Sequence, residues 1–170
     1  MDFSNLAKER YSVRSFSDEK VSDTDLGVIL EAGNLAPTAC NRQPQRIIAV
    51  RSEEGLKKLK NCTDYTFDAP LAIIVCYEAD KCWVRPFDGK SSGDIDASIV
   101  ATHMMLQAKE IGIGSTWVMY FKPDVLKKDF RLDENVVPVA ILMMGHPSEN
   151  CVPSHNHGKR KKIEETVISD

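Results

Sequence analysis

"LAIIVCY", residues 71–77, decides the architecture of this chain. A strand alternates its side chains between two faces, and here both faces are apolar. The segment after Pro70 therefore reads as a strand covered on both sides, in the middle of a sheet. Outward from it, "RIIAV" at 46–50 is short, β-branched and apolar, and "VVPVAILMMG" at 136–145 is a longer run of the same kind. Both read as further strands, and "STWVMY" at 115–120 reads as a strand or tight turn.

Helical patterns separate them. Ser22 stands before "DTDLGVILEAG", where Leu26, Ile29 and Leu30 share one face and Asp23 and Asp25 suit the positive end, so a helix is expected from Asp23 to Ala32, ended by Gly33. Ser52 caps a small helix through Leu56 and Leu59, and Pro123 opens a short one. The segment Ala97–Glu110, capped by Asp94 or Asp96, carries Ile99, Val100, Met104, Leu106 and Ala108 and leaves a narrow polar side. It is expected to be the buried central helix, with His103 a core or interface histidine. Gly112 and Gly114 stop it. These spacings do not repeat as βαβ units would. An α+β domain with one mixed sheet follows.

With 170 residues the chain is expected to form a single domain, 1–170, whose residues 146–170 form an extended C-terminal arm. That arm is too polar to build a core, yet "IEETVI" near its end has apolar residues that could dock on a partner subunit. Lys and Arg number 22 against 25 Asp and Glu, a net charge of −3, which argues against a general nucleic-acid binder. No apolar run is long enough to cross a bilayer, and the N-terminus has no signal pattern. Cytoplasmic residence is expected. The five cysteines include no Cys-x-x-Cys pair, so reduced thiols fit better than disulfides or a zinc knuckle. Cys151, His155 and His157 could hold a soft metal only with a ligand from elsewhere, and no metal site is assigned.

Chemistry concentrates elsewhere. In "RYSVRSF", residues 10–16, Tyr11, Val13 and Phe16 can grip the body while Arg10, Ser12 and Arg14 face away as an anion cradle; surface arginines in salt bridges are the plain alternative. "APTACNRQP" at 36–44 is a loop leaving a helix, in which Asn41 suits a turn. "KRKKIEE" at 159–165 is by default a solvated basic run. No Gly-x-Ser-x-Gly elbow, Walker loop or Gly-x-Gly-x-x-Gly motif follows a strand, so hydrolase, NTPase and dinucleotide-fold readings lack support.

Taken together with "GIGSTW" at 112–117, these stretches resemble the nitroreductase family of FMN-dependent homodimeric flavoproteins, over nearly the whole chain and in the right order. The resemblance implies a mainly antiparallel sheet flanked by helices, with the C-terminal tail exchanged in a dimer. It implies that Arg10, Ser12 and Arg160 hold the FMN phosphate, that Arg14 reaches the pyrimidine edge of the ring, and that Tyr11 lies beside them. It places Pro37, Thr38, Ala39, Asn41 and Gln43, from the second subunit, along the ribityl chain and ring. The backbone approach to flavin N5 and O4 falls at Trp117, Val118, Met119 and Tyr120, where the family commonly has glycine. Gln45 stands where the family often has an aromatic residue.

The implied activity is hydride transfer from NADH or NADPH through flavin N5 to an electron-poor acceptor such as a nitroaromatic or quinone, with no catalytic side chain required. A flavin carrier or sensor without rapid turnover is the alternative. The chain is short for the family, so the loop Asp80–Gly93, with Trp83 and Phe87, is expected either to lid the pocket or to leave it open.

Overall fold

The computed structural model describes residues 2–169. Strand β2 (Leu71–Glu78) lies between β1 (Gln45–Val50) and β4 (Val136–Gly145), and β3 (Gly114–Val118) pairs with the far side of β4. All three pairings are antiparallel, with Ile48 opposite Ile74, Ile73 opposite Leu142, and Thr116 opposite Met143. Among the described residues the parallel element is a single bridge, Ser12 to Ser115.

The doubly apolar reading of β2 has a direct cause in the layers around it. Leu71, Ile73 and Val75 join Leu26, Ile29, Val100 and Met104 in one core, under α2 (Asp23–Asn34) and α4 (Gly93–Glu110). Ala72, Ile74 and Cys76 join Leu59, Cys62 and Leu126 in a second core, under α3 (Glu53–Cys62) and α5 (Pro123–Asp129). Burial of each large aliphatic side chain contributes about 1.5–3 kcal/mol, so the two cores, rather than helix propensity, hold the helices in place.

Helix ends differ from the sequence expectations in two places. Ser22 and Ser52 cap α2 and α3 as expected, accepting from the backbone N–H of Asp25 and Gly55. Gly33, however, lies inside α2, where an added Cβ would stand 2.8 Å from Met104 Cγ. It permits close helix packing instead of ending the helix. Helix α4 begins at Gly93, so Asp94 and Asp96 occupy its first turn and neither is the cap. His103 is on the exposed side of α4, its Nδ1 2.9 Å from the Ile99 carbonyl oxygen, and is not a core residue of this chain. A short helix α1 (Phe3–Glu9) precedes all of these; with Leu6 as its one buried residue it had no periodic signal.

Residues 10–17 run between β3 and the chain leaving β4. Val13 N–H donates to the Ser115 carbonyl (3.0 Å), Ser17 N–H to that of His146 (2.9 Å), and Ser148 N–H to that of Ser15 (3.1 Å). Val13 is buried and Phe16 packs against the second core. Beyond Pro147 the arm is largely exposed, with one 3-10 turn at Ile163–Glu165; Ile163 and Ile168 are 72% and 99% exposed.

Candidate functional site

Near the C-terminal end of α4 the structure gathers positive charge. Arg10 ends α1 as its C-cap and stands partly buried. Burial first, and then the positive charge of nearby Arg160, lowers its pKa, so the two guanidiniums sit close enough to repel. Among the described residues no carboxylate lies within ion-pair distance of Arg10, Arg14 or Arg160. Like charges brought together without a counter-charge form a site for an anion. Arg10, Tyr11, Ser115 and Lys109 line a cleft of about 80 Å³ there, and the Lys109 ammonium is 3.9 Å from Glu9.

The arm is fastened to this end by several bonds. Tyr11 Oη donates to the Cys151 carbonyl (3.2 Å), and His157 Nε2 lies 2.9 Å from the Lys8 carbonyl, its ring edge-on to that of Tyr11 with centroids 6.1 Å apart. Arg160 in turn donates to the carbonyls of His157 (2.6 Å) and Lys159 (2.8 Å). Cys151 and His157 thus serve to dock the arm, while His155 is exposed. Arg14 is exposed and donates to the Ser12 carbonyl (3.3 Å), and Ser12 is held at its bridge to Ser115.

The loop after α2 is built differently. Cys40, Asn41 and Gln43 all have positive φ, at 49°, 51° and 49°. For residues with a Cβ this conformation costs roughly 1–2 kcal/mol each, less for Asn. The loop is closed by Gln43 N–H donating to Thr38 Oγ1 (3.0 Å) and by Gln43 Nε2 donating to Asn41 Oδ1 (3.0 Å). It is tied to the first turn of α4 by Ala39 N–H donating to Asp96 Oδ1 (2.9 Å), while the other Asp96 oxygen accepts from Ser92 Oγ (2.7 Å). Asp96 is 2% exposed. The loop itself is partly open, with Pro37, Asn41 and Gln43 exposed and Thr38 and Ala39 half-buried.

Asp96 escaped the sequence reading as anything more than a cap, because its partner is 57 positions away. The local signal was a second acidic residue in a helix's first turn with Ser92 four positions before it.

Within one chain, then, the two groups of expected site residues are apart. Lys109 and Asp96 mark opposite ends of α4, about 20 Å from each other at 1.5 Å per residue. Strand β3 ends between solvent and core: Val118 is buried in the second core and Trp117 packs partly on the first. Met119 and Tyr120 are 69% and 71% exposed. Tyr120 stacks edge-on with Tyr65 (5.3 Å), and a cavity of about 230 Å³ opens between Asn61–Asp64 and Met119–Lys122. The 80–93 loop closes into a small hairpin through the Val84–Ser91 bridge, with Trp83 half-buried and Phe87 fully out at the tip. No helix among the described residues is long and apolar enough to cross a membrane.

Known proteins share this arrangement. A nitroreductase family protein from Clostridium difficile 630 superposes with a TM-score of 0.93 at 47% identity, covering 99% of this chain and 98% of that one. An FMN-dependent nitroreductase from Clostridium difficile R20291 superposes at 0.81 with 25% identity and 99% coverage of both chains. The FMN reductase [NAD(P)H] of Bacillus subtilis is 26% identical over 156 residues, 81% of this chain and 63% of that protein. Residues 7–64 and 60–146 match the Nitroreductase family model. By that match, and by the 47% identity and close superposition of the Clostridium difficile 630 structure, the chain belongs to the nitroreductase family.

Proposed function

We propose that this protein is an FMN-dependent oxidoreductase that takes hydride from NADH or NADPH and passes it to an electron-poor acceptor such as a nitroaromatic or a quinone. The single observation that carries the reading is the cationic cleft lined by Arg10, Tyr11, Lys109 and Ser115, in which Arg10 is partly buried, feels the positive charge of Arg160, and has no carboxylate within ion-pair distance among the described residues. A phosphate dianion satisfies both guanidiniums with charge-assisted bonds, and the Ser12 hydroxyl adds a donor. The residues present therefore fit the phosphate end of a mononucleotide.

FMN, when bound, supplies the two-electron chemistry by accepting hydride and releasing it to the second substrate. The chain's own residues bind and orient. Arg10, Arg160, Ser12 and Tyr11 form the phosphate end. Arg14, exposed and free to swing, is the cation for the pyrimidine edge, where it favours charge gained on reduction. The end of β3, Trp117 to Met119, offers its backbone to the ring; the Val118 side chain is committed to the core, so its role is limited to its main chain.

The loop Pro37–Gln43 enters as the other wall. Because it lies at the opposite end of α4 from Arg10, the reading requires it from a second copy of the chain, which makes the protein a homodimer with the flavin at the subunit interface. The exposed Ile163, Val167 and Ile168 of the arm suit the same partner. The exposed 80–93 hairpin, with Phe87 free of contacts to a core, leaves the acceptor side open.

Purified protein should be yellow, with flavin absorption and a dimer mass by light scattering. Steady-state oxidation of NADH or NADPH with a quinone or nitroaromatic should show ping-pong kinetics. A colourless monomer that stays so with excess FMN overturns the reading, and a bound flavin that never turns over makes the protein a flavin carrier instead.

A further inference from the structure

We infer that Asp96 is a positioning residue for flavin binding: its buried carboxylate fixes the loop Pro37–Gln43 in the conformation that receives the ribityl chain and ring, without touching the ligand. This rests on the function proposed above. The loop carries three left-handed residues that are not glycine, Cys40, Asn41 and Gln43, and such a conformation persists only where its surroundings impose it. Its side-chain bonds, from Gln43 N–H to Thr38 Oγ1 and Gln43 Nε2 to Asn41 Oδ1, are exposed to water, and two backbone bonds, Asn41 N–H to the Thr38 carbonyl and Arg42 N–H to the Ala39 carbonyl, shape its turn without tying it to the rest of the fold.

The bond from Ala39 N–H to Asp96 Oδ1 is of another kind. It is a charge-assisted bond to a carboxylate that is 2% exposed, and it reaches from the loop into the first turn of α4. The second oxygen is committed to Ser92 Oγ at 2.7 Å, so the carboxylate cannot rotate away. Asp96 also lies where the positive end of the α4 dipole favours its charge. The start of α4 is itself fixed, since an added Cβ on Gly93 would stand 2.5 Å from the Tyr77 ring. A strained loop is thereby anchored to the buried first turn of the long helix α4.

The test uses full-length Asp96→Ala and Asp96→Asn, titrated with FMN and with riboflavin by flavin fluorescence, and amide exchange at Ala39–Gln43 without ligand. Asn can still accept from Ala39 N–H and donate to a reoriented Ser92 hydroxyl. In Asp96→Ala both ligands should bind about tenfold more weakly, because the loop faces parts they share, and loop exchange should accelerate. Asp96→Asn should recover binding to within about threefold. If Asp96→Ala does not fold, Ser92→Ala, which frees one carboxylate oxygen, should give the same pattern at about threefold. Unchanged affinity and exchange in a folded variant, or a loss confined to FMN, overturns the inference. Wild-type protein that binds neither flavin removes the functional reading instead, while faster loop exchange in Asp96→Ala would still establish the anchor.

Discussion

The two ends of α4 are prepared for a ligand in opposite ways. At the C-terminal end the positive charge of Arg160 bears on half-buried Arg10, and the arm bearing Arg160 is held by an exposed bond through His157 and a part-buried one at Cys151. Among the described residues neither guanidinium has an ion-pair partner there, while Lys109 stands 3.9 Å from Glu9; under the proposed function an anion completes that end. At the N-terminal end a strained loop is closed on itself and tied to the buried carboxylate of Asp96. That end is complete before any ligand arrives. Under the proposed function, the difference makes affinity at the first a matter of charge and at the second a matter of preorganisation, which costs the ligand less entropy on binding.

Loosening the helix between the ends should disturb both. Met104 is fully buried against Gly33 of α2, and Met104→Ala should lower stability by about 2–5 kcal/mol in urea denaturation. Where the protein remains folded, FMN and riboflavin should both bind more weakly. Loss of only one would break the picture of α4 as the common spacer.

Arg10→Ala sharpens the contrast more selectively. Removal of one charge-assisted contact to phosphate should weaken FMN by about 10- to 100-fold while riboflavin changes less than about twofold, read by fluorescence titration. Equal losses for the two ligands would mean that Arg10 does not face the phosphate.

A smaller effect is expected at the arm. His157→Ala removes the bond to the Lys8 carbonyl and the edge-on contact with Tyr11, and should weaken FMN about threefold through a less well held Arg160, with no change in melting temperature beyond a degree or two. Unaltered FMN affinity would show that the arm needs no such fastening.

The core supplies a pH control remote from both ends. Burial pushes the Cys76 thiol from its ordinary 9.0 to about 12. The folded state thus holds its proton where the unfolded chain has lost it. Its contribution is fully present below about pH 9 and declines as pH rises from there toward 12. Thermal melts across that range should show a falling alkaline limb, shallower in Cys76→Ala, with FMN affinity at neutral pH unmoved. An equally steep limb in the variant would place the alkaline loss elsewhere.

Much of this was legible in residues 10–16, 36–44 and 71–77. The apolar alternation of β2, the serine caps of α2 and α3, and the grip of Val13 and Phe16 are local consequences of side-chain period and turn chemistry. The start of α4 was misplaced because Gly93 is a weak helix former held there by close contact with the Tyr77 ring. Of the two places expected for His103, the core is excluded by its exposure within the chain; a helix so nearly apolar around its circumference gives little sign of which side stays out of the core.

By itself the sequence determined three of the four strands, the helices after β1 and around Leu26, Ile29 and Met104, where charge and hydroxyls cluster, and which family they resemble, because those signals are local and need no partner. Only the tertiary structure decided that Arg10 is half-buried within reach of the charge of Arg160, that Asp96 reaches Ala39, and that the two groups of expected site residues stand at opposite ends of one helix. Those relations join positions far apart in the chain, and they exist only once two cores have closed on the sheet and set the distances between its covering elements.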